Sequence, residues 1–314
     1  MELFFNIILF VLGLAILIKG SDFFVGSAVF IARHFGVSEL IIGLTLVSMG
    51  TSLPELGTSV YASHAGEGGI AVGNVVGSNI ANIALVLGIC LMFGAIKVKK
   101  VKRDGLIMLG VSLVFIIFIF GGVARWEGLV LMALFVIYLV FLFRKNKIQA
   151  GKGNKREKSE CSGTRENGLA KRITLLVIGC FGIFLGAKLM VDSAVSIAFT
   201  FRIPGTVIGS TLIAFGTSVP ELTVSLVAVL KKHEGISIGN IIGSNIFNIL
   251  WVIGAASLVS DLAVDSTLLY INIPIMLFVA ALLLVFMFTG RRLERWQGGV
   301  FIAIYAVFLL LNYW

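Results

Sequence analysis

Charged residues are scarce in this 314-residue chain: Asp, Glu, Lys and Arg make up 13%, against about a quarter in a soluble globular protein. With 58% hydrophobic residues, one water-soluble core cannot hide the apolar surface, which excludes a soluble enzyme and a disordered chain. There are three cysteines, Cys90, Cys161 and Cys180. They have no metal or redox spacing, so a disulfide scaffold is excluded, and two sit in apolar runs as small hydrophobes. The three histidines, His34, His64 and His233, fall near the ends of apolar runs and offer no imidazole-based metal site. Prolines number four. No Walker motif is present, so nothing points to a nucleotide or any other cofactor.

Apolar runs are abundant. Ten are long enough to cross a bilayer, near 3–32, 38–64, 69–95, 106–123, 127–143, 173–200, 204–230, 235–260, 266–289 and 297–313. The first continues well past a signal-peptide core without a cleavage site and is kept as a span. The connections after the odd-numbered spans carry 21 of the 25 Lys and Arg residues; the opposite side carries Arg125 and Arg202. This asymmetry predicts a cytoplasmic face on the odd connections and extracytoplasmic termini. The net charge of +9 is therefore a topology signal and excludes a nucleic-acid patch. Residues 144–171 are polar and mixed in charge and predict a mobile cytoplasmic linker. They divide the chain into a first five-helix repeat, 1–143, and a second, 172–314.

The halves repeat. IIGLTLVSMGTSLPELGTSVYASH at 41–64 matches VIGSTLIAFGTSVPELTVSLVAVL at 207–230, and GIAVGNVVGSNIANIALVLG at 69–88 matches GISIGNIIGSNIFNILWVIG at 235–254, at an ungapped offset of 166 residues. Five spans per half make the second copy enter from the opposite side. The expected fold is an all-α polytopic membrane protein of ten helices in two inverted-topology repeats, with broken helices at the midplane.

Pro54 and Pro220 remove backbone donors inside their spans and are expected to interrupt them, releasing carbonyls around Gly50–Thr51 and Gly216–Thr217. Glu55 and Glu221 follow directly. A carboxylate at that depth is costly and is functional by default. Asn74, Ser78 and Asn82 are spaced i, i+4, i+8, as are Asn240, Ser244 and Asn248, which puts each set on one helical face. With the hydroxyls of Thr51, Ser52, Thr217 and Ser218, these residues form an oxygen-only set that suits hard cations. Two carboxylates balance one Ca²⁺, and the same oxygens can be divided among Na⁺ ions.

Both copies resemble the α-repeats of the cation/Ca²⁺ exchanger superfamily, most of all its prokaryotic sodium/calcium exchangers. The resemblance rests on G-T-S-x-P-E and G-N-x-x-G-S-N and covers nearly the whole chain. It implies that Glu55 and Glu221 bind Ca²⁺ together with the carbonyls of Thr51 and Thr217. It also implies that Ser52, Ser78, Ser218, Ser244, Asn82 and Asn248 form sodium sites, and that two long helices slide across a broken-helix core. Some relatives carry Asp at the position of Asn248, a feature tied to K⁺ co-transport, so Asn248 implies K⁺ independence. The expected activity is Ca²⁺/Na⁺ antiport in the cell membrane by a monomer, with H⁺-coupled Ca²⁺ transport as the alternative. An intramembrane enzyme lacks a nucleophile to accompany the two glutamates, and a channel does not call for inverted repeats. Two further charge pairs, Lys19–Asp22 and Lys188–Asp192, are expected along their own helices.

Overall fold

The computed structural model describes residues 2–98, 101–152, 166–201, 214–264 and 266–313. Among them the helices are α1 (Glu2–His34), α2 (Glu39–Thr51), α3 (Leu53–His64), α4 (Gly68–Phe93), α5 (Lys102–Ile119), α6 (Arg125–Lys152), α7 (Glu166–Thr200), α8 (Ala214–Leu230), α9 (Glu234–Val259), α10 (Leu268–Thr289) and α11 (Arg295–Tyr313). Seven are long and apolar enough to cross a bilayer, and the bent pair α2–α3 makes an eighth crossing. The chain is thus a multi-pass membrane protein. Of the ten expected spans, the two not in this count fall on α5 and α8. Lys102, Arg103 and Asp104 occupy the first turn of α5, and α8 is described only from Ala214, because 202–213 lie outside the described residues.

α4 and α9 form the centre. About four-fifths of each is buried, 78% and 83%, against 39% or less for the other single-helix crossings. One apolar cluster surrounds them. A second, smaller cluster joins α1 and α7 to α2 and α8 through Leu17, Phe24, Ile42, Val47, Ile183 and Val219. α1 and α7 lie backbone to backbone: Gly13 meets Gly186 and Met190, while Gly20 meets Gly179 and Ile183. The order of these contacts makes the two helices antiparallel. Only glycine allows such an approach, since a Cβ on Gly186 would stand 2.5 Å from the Leu17 amide nitrogen.

Matching contacts recur in the two halves. Gly88 of α4 packs on Gly298 of α11, and Gly254 of α9 packs on Gly128 of α6. Just beyond these helices, β1 (Ile96–Lys97) pairs antiparallel with β2 (Arg292–Leu293), and Leu262 forms an isolated antiparallel bridge with Val123. In each case the segment after the central helix of one half is tied to the segment before the last helix of the other.

Helix extends into the expected linker from both sides, to Lys152 and from Glu166. The flanks contain Lys, Gln, Ala and Arg, which propagate helix well. The centre of the linker, 153–165, lies outside the described residues.

Candidate functional site

The first interruption falls where expected. At Ser52 (φ −88°, ψ 13°) the chain bends by 46° between α2 and α3. Pro54 lies in the first turn of α3, where its missing N–H costs little. Having no amide proton, Pro54 leaves the Gly50 carbonyl without the usual donor four residues on. The second interruption differs from expectation. Across Gly216–Glu221 the helix continues, with Pro220 inside α8. Pro220 supplies no amide proton to the Gly216 carbonyl.

The partner helices are also unbroken. Each instead contains a π-helical segment, Asn82–Leu87 in α4 and Asn248–Val252 in α9. Both segments begin at the last Asn of the repeated motif. A π-turn inserts one residue into the i→i+4 ladder and re-aims the side chains around it, which is why such turns collect at functional sites.

Glu55 and Glu221 are fully buried, at 0% exposure, and close enough for their charges to repel. Thr51, Ser52, Ser78, Asn82, Ser218, Asn240, Ser244 and Asn248 are buried as well, while Asn74 and Thr217 are half-buried. Ser52 Oγ donates to Glu221 Oε1 at 2.9 Å, which links the two halves directly. Thr51 Oγ1 donates to Asn240 Oδ1 at 3.0 Å, again across the halves. Asn240 Nδ2 in turn donates to Ser225 Oγ at 3.0 Å. Asn74 Nδ2 makes the equivalent bond to Ser59 Oγ at 2.9 Å and also reaches the Glu55 carbonyl at 3.2 Å. Asn74 and Asn240 therefore orient backbone and neighbouring hydroxyls.

Several acceptors at this centre have no partner among the described residues. They are both carboxylate oxygens of Glu55, Glu221 Oε2, Asn82 Oδ1, Asn248 Oδ1 and the hydroxyls of Ser218 and Ser244. The Ser78 hydroxyl lies beside Glu55, but among the described residues no hydrogen bond reaches either carboxylate oxygen. Leaving buried carboxylate oxygens unpartnered costs several kcal/mol per ion. A cation held by these oxygens would offset that cost, and nothing in the set favours a soft metal.

Four further polar residues support the site. Ser59 and Ser225 hold Asn74 and Asn240. Asn79 Nδ2 donates to the Asn245 carbonyl at 3.2 Å, and its Oδ1 accepts from Asn248 Nδ2 at 3.2 Å. Asn245 Nδ2 bonds its own helix at Ile241 O. All four are repeated at the offset of 166 residues, and that repetition was the available signal. The Lys188–Asp192 pair forms as expected, at 3.2 Å. Lys19–Asp22 does not: Asp22 pairs with Lys231 at the end of α8. A lysine on another helix can reach a carboxylate that helical spacing alone assigns to Lys19.

Two buried carboxylates from repeated motifs, ringed by neutral oxygens inside a multi-pass helical membrane protein, define a cation transporter by class. The sequence profile of the sodium/calcium exchanger protein family matches residues 5–144 and 171–314. The chain belongs to that family. It is 38% identical to the sodium/calcium exchanger MaX1 of Methanosarcina acetivorans, over 98% of this chain and 99% of the relative. The solved structure of the sodium-calcium exchanger NCX_Mj soaked with zero Na⁺ and Ca²⁺ superposes with a TM-score of 0.85 at 38% identity, covering 96% of this chain and 97% of that one. Human sodium/potassium/calcium exchanger 4 is 34% identical over 36% of this chain and 19% of its own length.

Proposed function

We propose that this chain is a secondary antiporter that exchanges Ca²⁺ for Na⁺ by alternating access, with no cofactor and no K⁺ requirement. The observation that carries the reading is the buried Glu55–Glu221 pair, three of whose four carboxylate oxygens lack a partner among the described residues. Two negative charges match one Ca²⁺. In the Na⁺-loaded state the same charges are shared among monovalent ions with neutral help. Glu55 and Glu221, with the carbonyls of Thr51 and Thr217, take Ca²⁺. Ser52, Ser78, Ser218, Ser244, Asn82 and Asn248 complete the Na⁺ sites, and Asn74 and Asn240 hold the frame. Asn248 is neutral, so it supplies no third charge for K⁺.

The fold proposed with this function has ten crossings in two inverted repeats, 1–143 and 172–314, joined by the linker 144–171. The antiparallel α1–α7 pair supports it, as do the matched Gly88–Gly298 and Gly254–Gly128 contacts. The basic linker is cytoplasmic and both termini are extracytoplasmic, by the charge asymmetry. Each chain supplies both glutamates, so a monomer completes the site. The test is ⁴⁵Ca²⁺ uptake into proteoliposomes. An outward-directed Na⁺ gradient is expected to drive uptake, and a pH gradient in Na⁺-free buffer is not. Uptake driven by the pH gradient alone overturns Na⁺ coupling in favour of H⁺.

A further inference from the structure

A cavity of about 580 Å³ opens between α3, α7 and α8. It is lined in part by Pro54, Gly216, Thr217 and Pro220, the chain neighbours of Glu55, Ser218 and Glu221. Lys188 and Asp192 also line it, with side chains 74% and 62% exposed. They are its only charged residues among the described lining. A second cavity, of about 390 Å³ between α1, α2 and α7, is lined by apolar side chains and glycine and offers a cation nothing. The larger cavity lies toward the C-terminal end of α7, away from the basic linker.

We infer that the Lys188–Asp192 pair sets the electrostatic field at the entrance through which cations reach Glu55 and Glu221, and so biases entry between divalent and monovalent ions. The inference rests on the antiport reading. A lysine at the mouth of a cation path repels its cargo, and Asp192, 3.2 Å away on the next turn, offsets that charge. Local ion concentration follows the exponential of charge times potential. A change in the field that alters Na⁺ entry by a given factor therefore alters Ca²⁺ entry by the square of that factor. Salt weakens both effects, because the pair is exposed and the Debye length falls to about 3 Å at 1 M.

The experiment uses full-length protein in proteoliposomes, with ions varied on the side the cavity faces. At low ionic strength, Asp192→Asn is expected to raise the half-saturating Na⁺ concentration about threefold and that of Ca²⁺ about ninefold, a size typical of focused surface charge. The maximal rate stays unchanged, and both shifts collapse in concentrated choline chloride. Lys188→Gln is expected to move both values the other way, and the double variant to return near wild type. Equal shifts for the two ions that ignore salt make the pair a packing feature and overturn the inference. So does normal exchange with unshifted half-saturation in both single variants. A wild-type protein that moves no Ca²⁺ under a Na⁺ gradient overturns the antiport reading itself.

Discussion

A methyl group on Gly186 should force α1 and α7 apart. Built on the backbone, it would lie 2.5 Å from Leu17 N, 2.7 Å from Gly13 O and 2.8 Å from Leu17 Cα. All three are backbone atoms, so no side chain can rotate away. Normal contact needs about 3.5 Å, so the helices must separate by about 1 Å. The seam continues through Gly20, Gly179 and Gly182, so the loss spreads along it. Overpacking of this kind costs about 1–3 kcal/mol. Alanine recovers about 1 kcal/mol over glycine through helix propensity. The net expectation for Gly186→Ala is a destabilisation of up to about 2 kcal/mol. Gly26 on the same helix has nothing within 4 Å of the corresponding position, so Gly26→Ala should be neutral or stabilising. Thermal melting in detergent, followed by size-exclusion profile, reads both. A Gly186→Ala protein that melts with or above Gly26→Ala refutes the packing argument.

Ser52→Ala removes the 2.9 Å bond to Glu221. Ser52 is also a proposed Na⁺ ligand, so the half-saturating Na⁺ for Ca²⁺ efflux should rise; an unchanged value removes Ser52 from the site. Asn79→Ala breaks one bond to the Asn245 carbonyl and one from Asn248. It should lower the melting temperature and slow exchange more than Asn245→Ala, whose Nδ2, among the described residues, bonds its own helix at Ile241 O; the reverse order contradicts the proposed bridging role. Replacing external choline by K⁺ should leave Na⁺-driven ⁴⁵Ca²⁺ flux unchanged, and a K⁺ requirement would contradict the assignment of Asn248 as a neutral ligand.

Much of the site was legible because its chemistry is carried by residue types repeated at one offset. Glu55 and Glu221, and the Asn and Ser positions matched to them, are visible without any contact being known. Backbone detail was less legible. Pro54 and Pro220 look equivalent in sequence, yet the chain bends at Ser52 and stays helical across Pro220. What Pro54 leaves at the start of a new helix, Pro220 leaves within a continuing one. The π-turns at Asn82 and Asn248 carry no composition signal, because an inserted residue in a helix uses the same apolar side chains as the helix itself. Asp22 found Lys231 because ion pairs form across packed helices, and packing is not written in local spacing. The seam of glycines between α1 and α7 was present in the sequence, but glycine is frequent throughout the chain, and only the backbone contacts single out Gly13, Gly20, Gly179, Gly182 and Gly186.

Equilibrium binding of ⁴⁵Ca²⁺ to the purified protein decides whether Glu55 and Glu221 jointly hold one Ca²⁺ that Na⁺ displaces. One Ca²⁺ per chain is expected, released by added Na⁺, with binding lost in both Glu55→Gln and Glu221→Gln proteins that retain wild-type melting. Full Ca²⁺ binding by either variant, or bound Ca²⁺ that Na⁺ fails to displace, would contradict it.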